Sequence, residues 1–355
     1  PSQIDVNKLG IFGNYNGVLS ELNNKEVLDD LQENSIMLSG FEDGKFDNED
    51  YILFYAQAPT TWWYNIFEAR YNHVTNIYSD TSYYFFTPDK GTGKPVANIS
   101  GIEDNATQFA NTFVDYSVHE KEYENMMSTG KEWYGERFTS DTLERIFSFT
   151  FPNLITTEPV FLSLDIIGRA AVDSYYEVFI NNSRIVDSTK IRYVSHSLGI
   201  FARKSSVDKT FFVEDDVIDV KIKYLSDDQN AIAWLDYIEL NVERELRLSG
   251  NQMRFSNPYV CATGNITEFT LSNTSNGDIV WDISDIHNPR RVMGTNESDI
   301  FKFVLPTDSL KTFIVFNGDQ FYSPVSFEDI QNQNLHGIGE VNYVIIRPDI
   351  FADEA

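Results

Sequence analysis

Cys261 is the sole cysteine of the chain, and it lies in NPYVCATGNITEF, where Cys-x-x-Gly has the outline of a nucleophile carried on a turn. Such chemistry needs a thiolate, a base within hydrogen-bond reach and an oxyanion site. The five histidines, His73, His119, His196, His287 and His336, show no partner motif for it. Val260 and Ala262 flank the thiol as they would a small core residue at a strand end, and a lone cysteine is more often a buried hydrophobe. No residue is therefore assigned a catalytic role.

Oxygen ligands gather in EDGKFDNED, where Asp43, Asp47, Glu49 and Asp50 have spacings that could suit Ca²⁺. The stretch departs from a helix-loop-helix calcium loop: Lys45 stands where a ligand would, and a strand rather than a helix follows from Tyr51. The plainer reading is a solvated acidic hairpin, with no other cofactor expected. Trp62 and Trp63, beside Tyr64, form an aromatic pair after a Pro-Thr-Thr turn. Indole faces stack on sugar rings, so these two are the candidate ligand-binding residues. The competing reading has them plugging an interface between domains. Gly91, Gly93 and Lys94 in GTGKP do not make a phosphate loop, and no Gly-x-Ser-x-Gly elbow occurs.

The elements that must position these residues are strands. Aromatic residues make up 14% of the chain, with Phe 27 and Tyr 19 against Met 5, a bias toward pleated, half-buried surfaces. At 355 residues the chain is too long for one ordinary core. Residues 1–140 read as a β-rich first domain. Its clearest strands are Tyr51–Tyr55 and Tyr83–Thr87, and KEYENMMSTGKEW predicts a short helix stopped at Gly130. Residues 141–247 carry strand candidates at Ile146–Phe151, Val160–Ile167, Tyr175–Ile180, Arg192–Val194, Phe211–Val213, Val217–Tyr224 and Ile232–Val242. In the last, Ile232, Trp234, Ile238, Leu240 and Val242 recur at period two, and Asn181-Asn182 supplies a hairpin turn. That density of strands predicts an antiparallel sandwich of jelly-roll type.

Residues 248–328 continue in β, with strands at Glu268–Leu271, Ile279–Ile283, Phe301–Leu305 and Lys311–Phe316, and Asn276-Gly277 as a hairpin turn between the first two. This small sandwich is expected to pack on the first domain, making the jelly roll an insertion. Residues 329–355 contain an apolar run, Tyr343–Arg347, that fits a parallel strand covered on both faces, the start of an α/β domain. The fold class is thus mainly β: antiparallel sandwiches including a jelly roll, leading into α/β.

Charge excludes one class of partner. Fifty-four acidic residues against 27 basic ones leave a net charge of -27, which repels nucleic acid and anionic membranes. No apolar run approaches the roughly 20 residues of a membrane helix. The opening PSQIDVNKLG lacks the parts of a signal peptide, consistent with a removed signal or a segment of a longer chain. A single cysteine leans toward export from a Gram-negative bacterium.

Several stretches occur together in one order: DDLQENSIMLSGFEDGKFDNEDYILFYAQAPTTWWYN, NIYSDTSYYFF, STGKEWYGERF, AWLDYIELNVERELRL, VWDISDIHNP and NLHG at 334–337. From about residue 5 onward the chain resembles the N-terminal, non-catalytic half of the type IX secretion sortases of Bacteroidota, within the gingipain-type cysteine peptidase family. The resemblance implies an exported, outer-membrane, cell-surface protein. It also implies a parent enzyme that removes C-terminal secretion signals from cargo and joins the new end to anionic lipopolysaccharide. Its partners would be other type IX secretion components and cargo proteins. The family's catalytic His and Cys lie in the α/β domain that follows, so Cys261 matches neither. Asn342-Tyr343 and Arg347 depart from the D-x-I-I-T common at that domain's first strand. The expected role is an accessory scaffold and docking region; the alternative is a carbohydrate-binding or adhesin module of a bacterial surface protein.

Overall fold

Apolar residues at alternate positions draw most of the chain into strands with one buried face. The computed structural model describes residues 5–14, 17–20, 22, 24, 25, 28–41, 48–102, 105–126, 128, 130–194, 199–318, 320–331, 334, 336–345, 347 and 350. The chain divides into two units, Pro1–Gly318 and Asp319–Ala355.

The first unit opens with short strands: β1 (Gly10–Phe12), β2 (Glu33–Asn34), β3 (Ile36–Ser39), β4 (Tyr51–Phe54), β5 (Thr61–Asn65), β6 (Arg70–Val74), β7 (Phe85–Thr87), β8 (Ala97–Ser100) and β9 (Gln108–Ala110). Longer strands follow: β10 (Thr112–Glu120), β11 (Arg137–Phe138), β12 (Glu144–Thr150), β13 (Val160–Arg169), β14 (Ser174–Ile180), β15 (Ser183–Ile191), β16 (Arg203–Phe211), β17 (Val217–Leu225) and β18 (Ile232–Glu245). The remainder are β19 (Gln252–Phe255), β20 (Ile266–Ser272), β21 (Asp278–Asp282), β22 (Arg290–Met293), β23 (Thr295–Glu297), β24 (Ile300–Pro306) and β25 (Phe313–Asn317).

Strands β10 to β18 make two facing sheets, β10-β18-β13-β16 and β12-β17-β14-β15, with β11 added beside β18. First strand beside last, and second beside last but one, is the pairing of a jelly roll. Its core is filled by one face of each strand: Leu162, Leu164 and Ile166 of β13, Ile218, Val220 and Ile222 of β17, and Ile238, Leu240 and Val242 of β18. The turn between β14 and β15 is Asn181-Asn182, with φ of 45° and 69°, the left-handed pair that a two-residue hairpin demands.

The phase of β18 differs from a single alternation. Ile166 pairs with Leu235 but Asp165 pairs with Tyr237, so Asp236 is an extra residue in a bulge. Ahead of the bulge the inward residues are Ala233 and Leu235. Trp234 instead points away from the core and donates its indole N–H to Glu124 Oε2 at 3.0 Å. The period-two reading therefore holds from Ile238 onward and fails at Ile232 and Trp234.

The second sandwich joins β19-β25-β21-β22-β8 to β23-β24-β20-β9. Two strands come from the first 110 residues: β8 pairs parallel with β22, and β9 parallel with β20. Its core is aromatic. Phe313 lies 5.1 Å from Phe255, 5.0 Å from Phe269 and 5.1 Å from Phe303, ring centre to ring centre. Asn276-Gly277 does form a turn, but β20 pairs with β24 and β21 with β25, so the turn crosses between sheets instead of closing a hairpin.

Four other expectations are revised. The stretch 121–133 holds no helix among its described residues; Glu124 bridges Tyr134 instead, because Tyr134 N–H and C=O close on that backbone. The Arg192–Val194 run lies just beyond β15, and Phe211–Val213 is entered only by the last residue of β16. In the second unit Tyr343, Val344 and Ile345 are exposed and not in a strand. A parallel strand exists only beside its neighbours, and none is present among the described residues of that unit.

Candidate functional site

The best-built polar cluster lies on the outer face of the sheet β10-β18-β13. Alternation that sends Ile238, Leu240 and Val242 inward sends Tyr237, Glu239 and Asn241 outward. A face of that kind is ordinarily wet, yet Glu239 is 3% exposed and Asn241 2%. What covers them is the β5–β6 hairpin, whose pairing of Trp62 with His73 and Tyr64 with Tyr71 sets four rings on one side.

No backbone ladder joins this hairpin to the sheet; β5 and β6 form a two-stranded sheet of their own. Side chains of β18 take the place of a neighbouring strand. Asn241 accepts from Tyr71 N–H at 2.7 Å and donates to Tyr71 C=O at 2.9 Å. Two residues along on each strand, Glu239 Oε2 accepts from His73 N–H at 2.9 Å. The His73 ring then uses both nitrogens: Nδ1 meets Glu239 and Nε2 meets Glu120 of β10 at 3.2 Å. The Thr75 hydroxyl donates to the same Glu120 oxygen. At the far end Arg70 pairs with Asp208 of β16 at 3.1 Å.

Electrostatics follow from this arrangement. Burial works to push the His73 imidazolium down, but the hydrogen bonds and charges of Glu120 and Glu239 outweigh it and hold the pKa at about 9. Burial works to raise Glu120, and here the bonds from His73 and Thr75 with the imidazolium charge hold it below the usual carboxylate range. A second ion group lies alongside, where Lys204 of β16 reaches Asp165 of β13 and Asp236 of the bulge, the latter at 3.1 Å. Burial nevertheless leaves the Asp236 carboxyl raised.

Trp62 belongs to this junction, with its ring 4.2 Å from Tyr116 and 5.6 Å from His73. Trp63 faces the other way and is 50% exposed. Asp43 and Asp47 lie outside the described residues, and Glu49 and Asp50 lie just before β4. The Asp50 carboxylate occupies the space a β-carbon would need at Gly40, whose φ is +90°. Among the described residues no three His, Cys, Asp or Glu side chains are grouped to hold a metal ion.

Cys261 caps a 3₁₀ turn at Pro258–Val260. Burial, and then the Asp308 charge, push its thiol pKa up, opposite to the shift a nucleophile needs. His119 is engaged by Glu136 at 3.0 Å, and His287 by Asn34 at 2.8 Å. His196 lies outside the described residues, and His336 belongs to the second unit. The His73 cluster escaped the sequence reading because its members are separated by up to 166 residues. The available signal was the pair Glu239 and Asn241 alternating with Ile238, Leu240 and Val242, which cannot by itself be told from a wet face.

Among solved structures, dimeric latent PorU from Porphyromonas gingivalis matches 94% of this chain with a TM-score of 0.80 and 22% sequence identity. This chain spans 31% of the length of that one. The likeness covers both sandwiches, so the chain has a PorU-like fold. A carbohydrate-binding module in complex with calcium and xylotriose matches with a TM-score of 0.23 and 14% identity, over 37% of this chain and 99% of that one. A Paenibacillus sp. cycloisomaltooligosaccharide glucanotransferase matches with a TM-score of 0.22 and 9% identity, over 57% and 44% of the two chains. Overlaps this slight carry no argument about ligand. No family model matches the sequence, and no curated protein sequence does. Among the described residues no helix is long and apolar enough to cross a membrane.

Proposed function

We propose that this chain is the non-catalytic front portion of a type IX secretion sortase, a scaffold and docking region for a gingipain-type cysteine peptidase domain. The observation that carries the reading is the PorU-like fold across 94% of the chain. The ordered motifs of the sequence support it independently of the fold. On this reading the protein is exported to the outer-membrane cell surface, and its partners are type IX secretion components and cargo. Residues 329–355 lead into the peptidase domain. Signal cleavage and transfer to lipopolysaccharide belong to that domain.

Reading the open frame past Ala355 tests this. A His-Gly pair and, farther on, a Cys flanked by small residues are expected. A frame that ends without them removes the proposal.

One observation favours a second reading, a carbohydrate-binding or adhesin module: the half-exposed indole of Trp63 on the outer side of the hairpin. Binding of this chain to a glycan array, lost in Trp63→Ala and retained in Trp133→Ala, would support it; no binding to any sugar removes it.

A further inference from the structure

Four features of the β5–β6 hairpin set it apart from the sandwich beneath it. It shares no backbone ladder with the sheet. Its polar attachment runs through the side chains of Asn241, Glu239, Glu120 and Asp208, beside the packing of Trp62 and Tyr71 on Tyr116. Its tip is unsupported, with Phe67 94% exposed. At the centre of the attachment one ring bridges two carboxylates that belong to neighbouring strands.

An imidazole can donate from both nitrogens only when protonated. In that state His73 satisfies Glu239 and Glu120 together. Loss of the proton leaves one nitrogen as an acceptor facing a carboxylate, and leaves Glu239 buried without its counter-charge. A buried charge stripped of its partner is strongly unfavourable, and lifting the hairpin to admit water relieves it. We propose that His73 is the clasp of a releasable strap: its protonated ring holds the hairpin on the outer jelly-roll face, and deprotonation frees the hairpin while the sandwich stays folded.

The surroundings of the ring bear on that titration. From β18 it faces Glu239 and the edge of Tyr237, at 4.9 Å; from β10, Glu120; from β5, Trp62. Lys204 of β16 lies over the Tyr237 ring, bound to Asp165 and Asp236, and its charge acts on Glu120. The folded-state pKa of His73 is raised from 6.5 to about 9, so its contribution is complete below 6.5 and is lost as pH rises through about 9. The pKa of Glu120 is lowered from 4.5, so its contribution is present above 4.5 and is lost as pH falls through the lowered value. The strap is held most firmly between those limits. This inference does not depend on the sortase reading.

Hydrogen exchange by mass spectrometry, corrected for intrinsic rates, tests it on the whole chain. Between about pH 6 and about pH 10, residues 61–75 should lose at least about tenfold in protection relative to Val160–Arg169. His73→Gln should show low hairpin protection that does not vary with pH. Unchanged relative protection in the wild type, or the same pH dependence in His73→Gln, overturns the proposal. Should His73→Gln not fold, Glu120→Gln serves: with one supporting charge gone, the loss of protection should move to lower pH, and an unmoved midpoint overturns it.

Discussion

Asn241 closes both backbone hydrogen bonds of Tyr71, a residue 170 positions earlier, with its N–H donated at 2.7 Å and its carbonyl bonded at 2.9 Å. An amide side chain thus performs the pairing that an adjacent strand would. Because the amide is buried and wholly committed to this task, the substitution Asn241→Ala orphans two backbone groups, each at about 1–3 kcal/mol if water cannot reach them. A fall of about 2 kcal/mol in unfolding free energy is expected from chemical denaturation. A change within about 0.5 kcal/mol, the range of ordinary surface substitutions, would show that the hairpin does not lean on this residue.

The second sandwich has its own centre in Phe313, fully buried between Phe255, Phe269 and Phe303. Truncation to Ala leaves a cavity that rigid neighbouring rings cannot fill, and a loss of about 3–5 kcal/mol is expected. Thermal unfolding followed by near-ultraviolet dichroism reads it. A loss below about 1 kcal/mol would mean that these rings do not form the packed centre described.

Turn chemistry separates two adjacent asparagines. Asn181 accepts from Asp219 N–H at 2.8 Å and donates to Val217 C=O at 3.1 Å, whereas Asn182 contributes its left-handed φ of 69°. Asn182→Gly is expected to be neutral or slightly stabilising, and Asn182→Val to cost about 1–2 kcal/mol. Asn181→Gly should cost about 1–2 kcal/mol through its lost hydrogen bonds despite suiting the backbone. Equal melting temperatures for the two glycine variants would contradict this division.

Cys261 should react slowly. With the thiol pKa raised by burial and by Asp308, less thiolate is present at mildly alkaline pH than in a free cysteine. Alkylation with iodoacetamide is expected to be several-fold slower than that of glutathione under the same conditions. Asp308→Asn removes the repelling charge and should speed it. A native thiol that labels as fast as glutathione would restore the case for an activated nucleophile.

The sandwich strands were legible because each has one buried face, and Val217–Tyr224 or Phe301–Leu305 displays it in the sequence itself. β10 escapes because its alternation is inverted: Val114, Tyr116 and Val118 share the outer face with Asn241 and Glu239, while Asp115, Ser117 and His119 lie on the face of Val242, Leu240 and Ile238. β8 and β9 are short and pair in parallel with strands far along the chain, so nothing local distinguishes them from loops. The bulge at Asp236 inverted the phase of Ile232 and Trp234, and one inserted residue leaves no mark in composition. For the junction, the sequence offered Trp62 as an interface plug and left His73 without a role. The reason is that a histidine's partners on other strands are set by packing, not by spacing.

The pairing of β10 with β18 begins at Thr112 and Glu245, and the next backbone bond, from Leu246 N–H to Asn111 C=O at 2.7 Å, belongs to the chain entering and leaving. The chain thus enters and leaves the jelly roll at one neck, and there β10 also engages the second sandwich: Val114 N–H donates to Ser256 C=O at 3.1 Å, and the Phe113 ring lies 6.4 Å from Phe255. Loops farther out could be lengthened or exchanged, but Phe113 and Val114 must stay, because they reach into the sandwich built around Phe313. The hairpin adds a second tie, from the outer jelly-roll face back to the leading segment of the chain, and a substitute lacking Glu120, Glu239 and Asn241 would give up that tie alone.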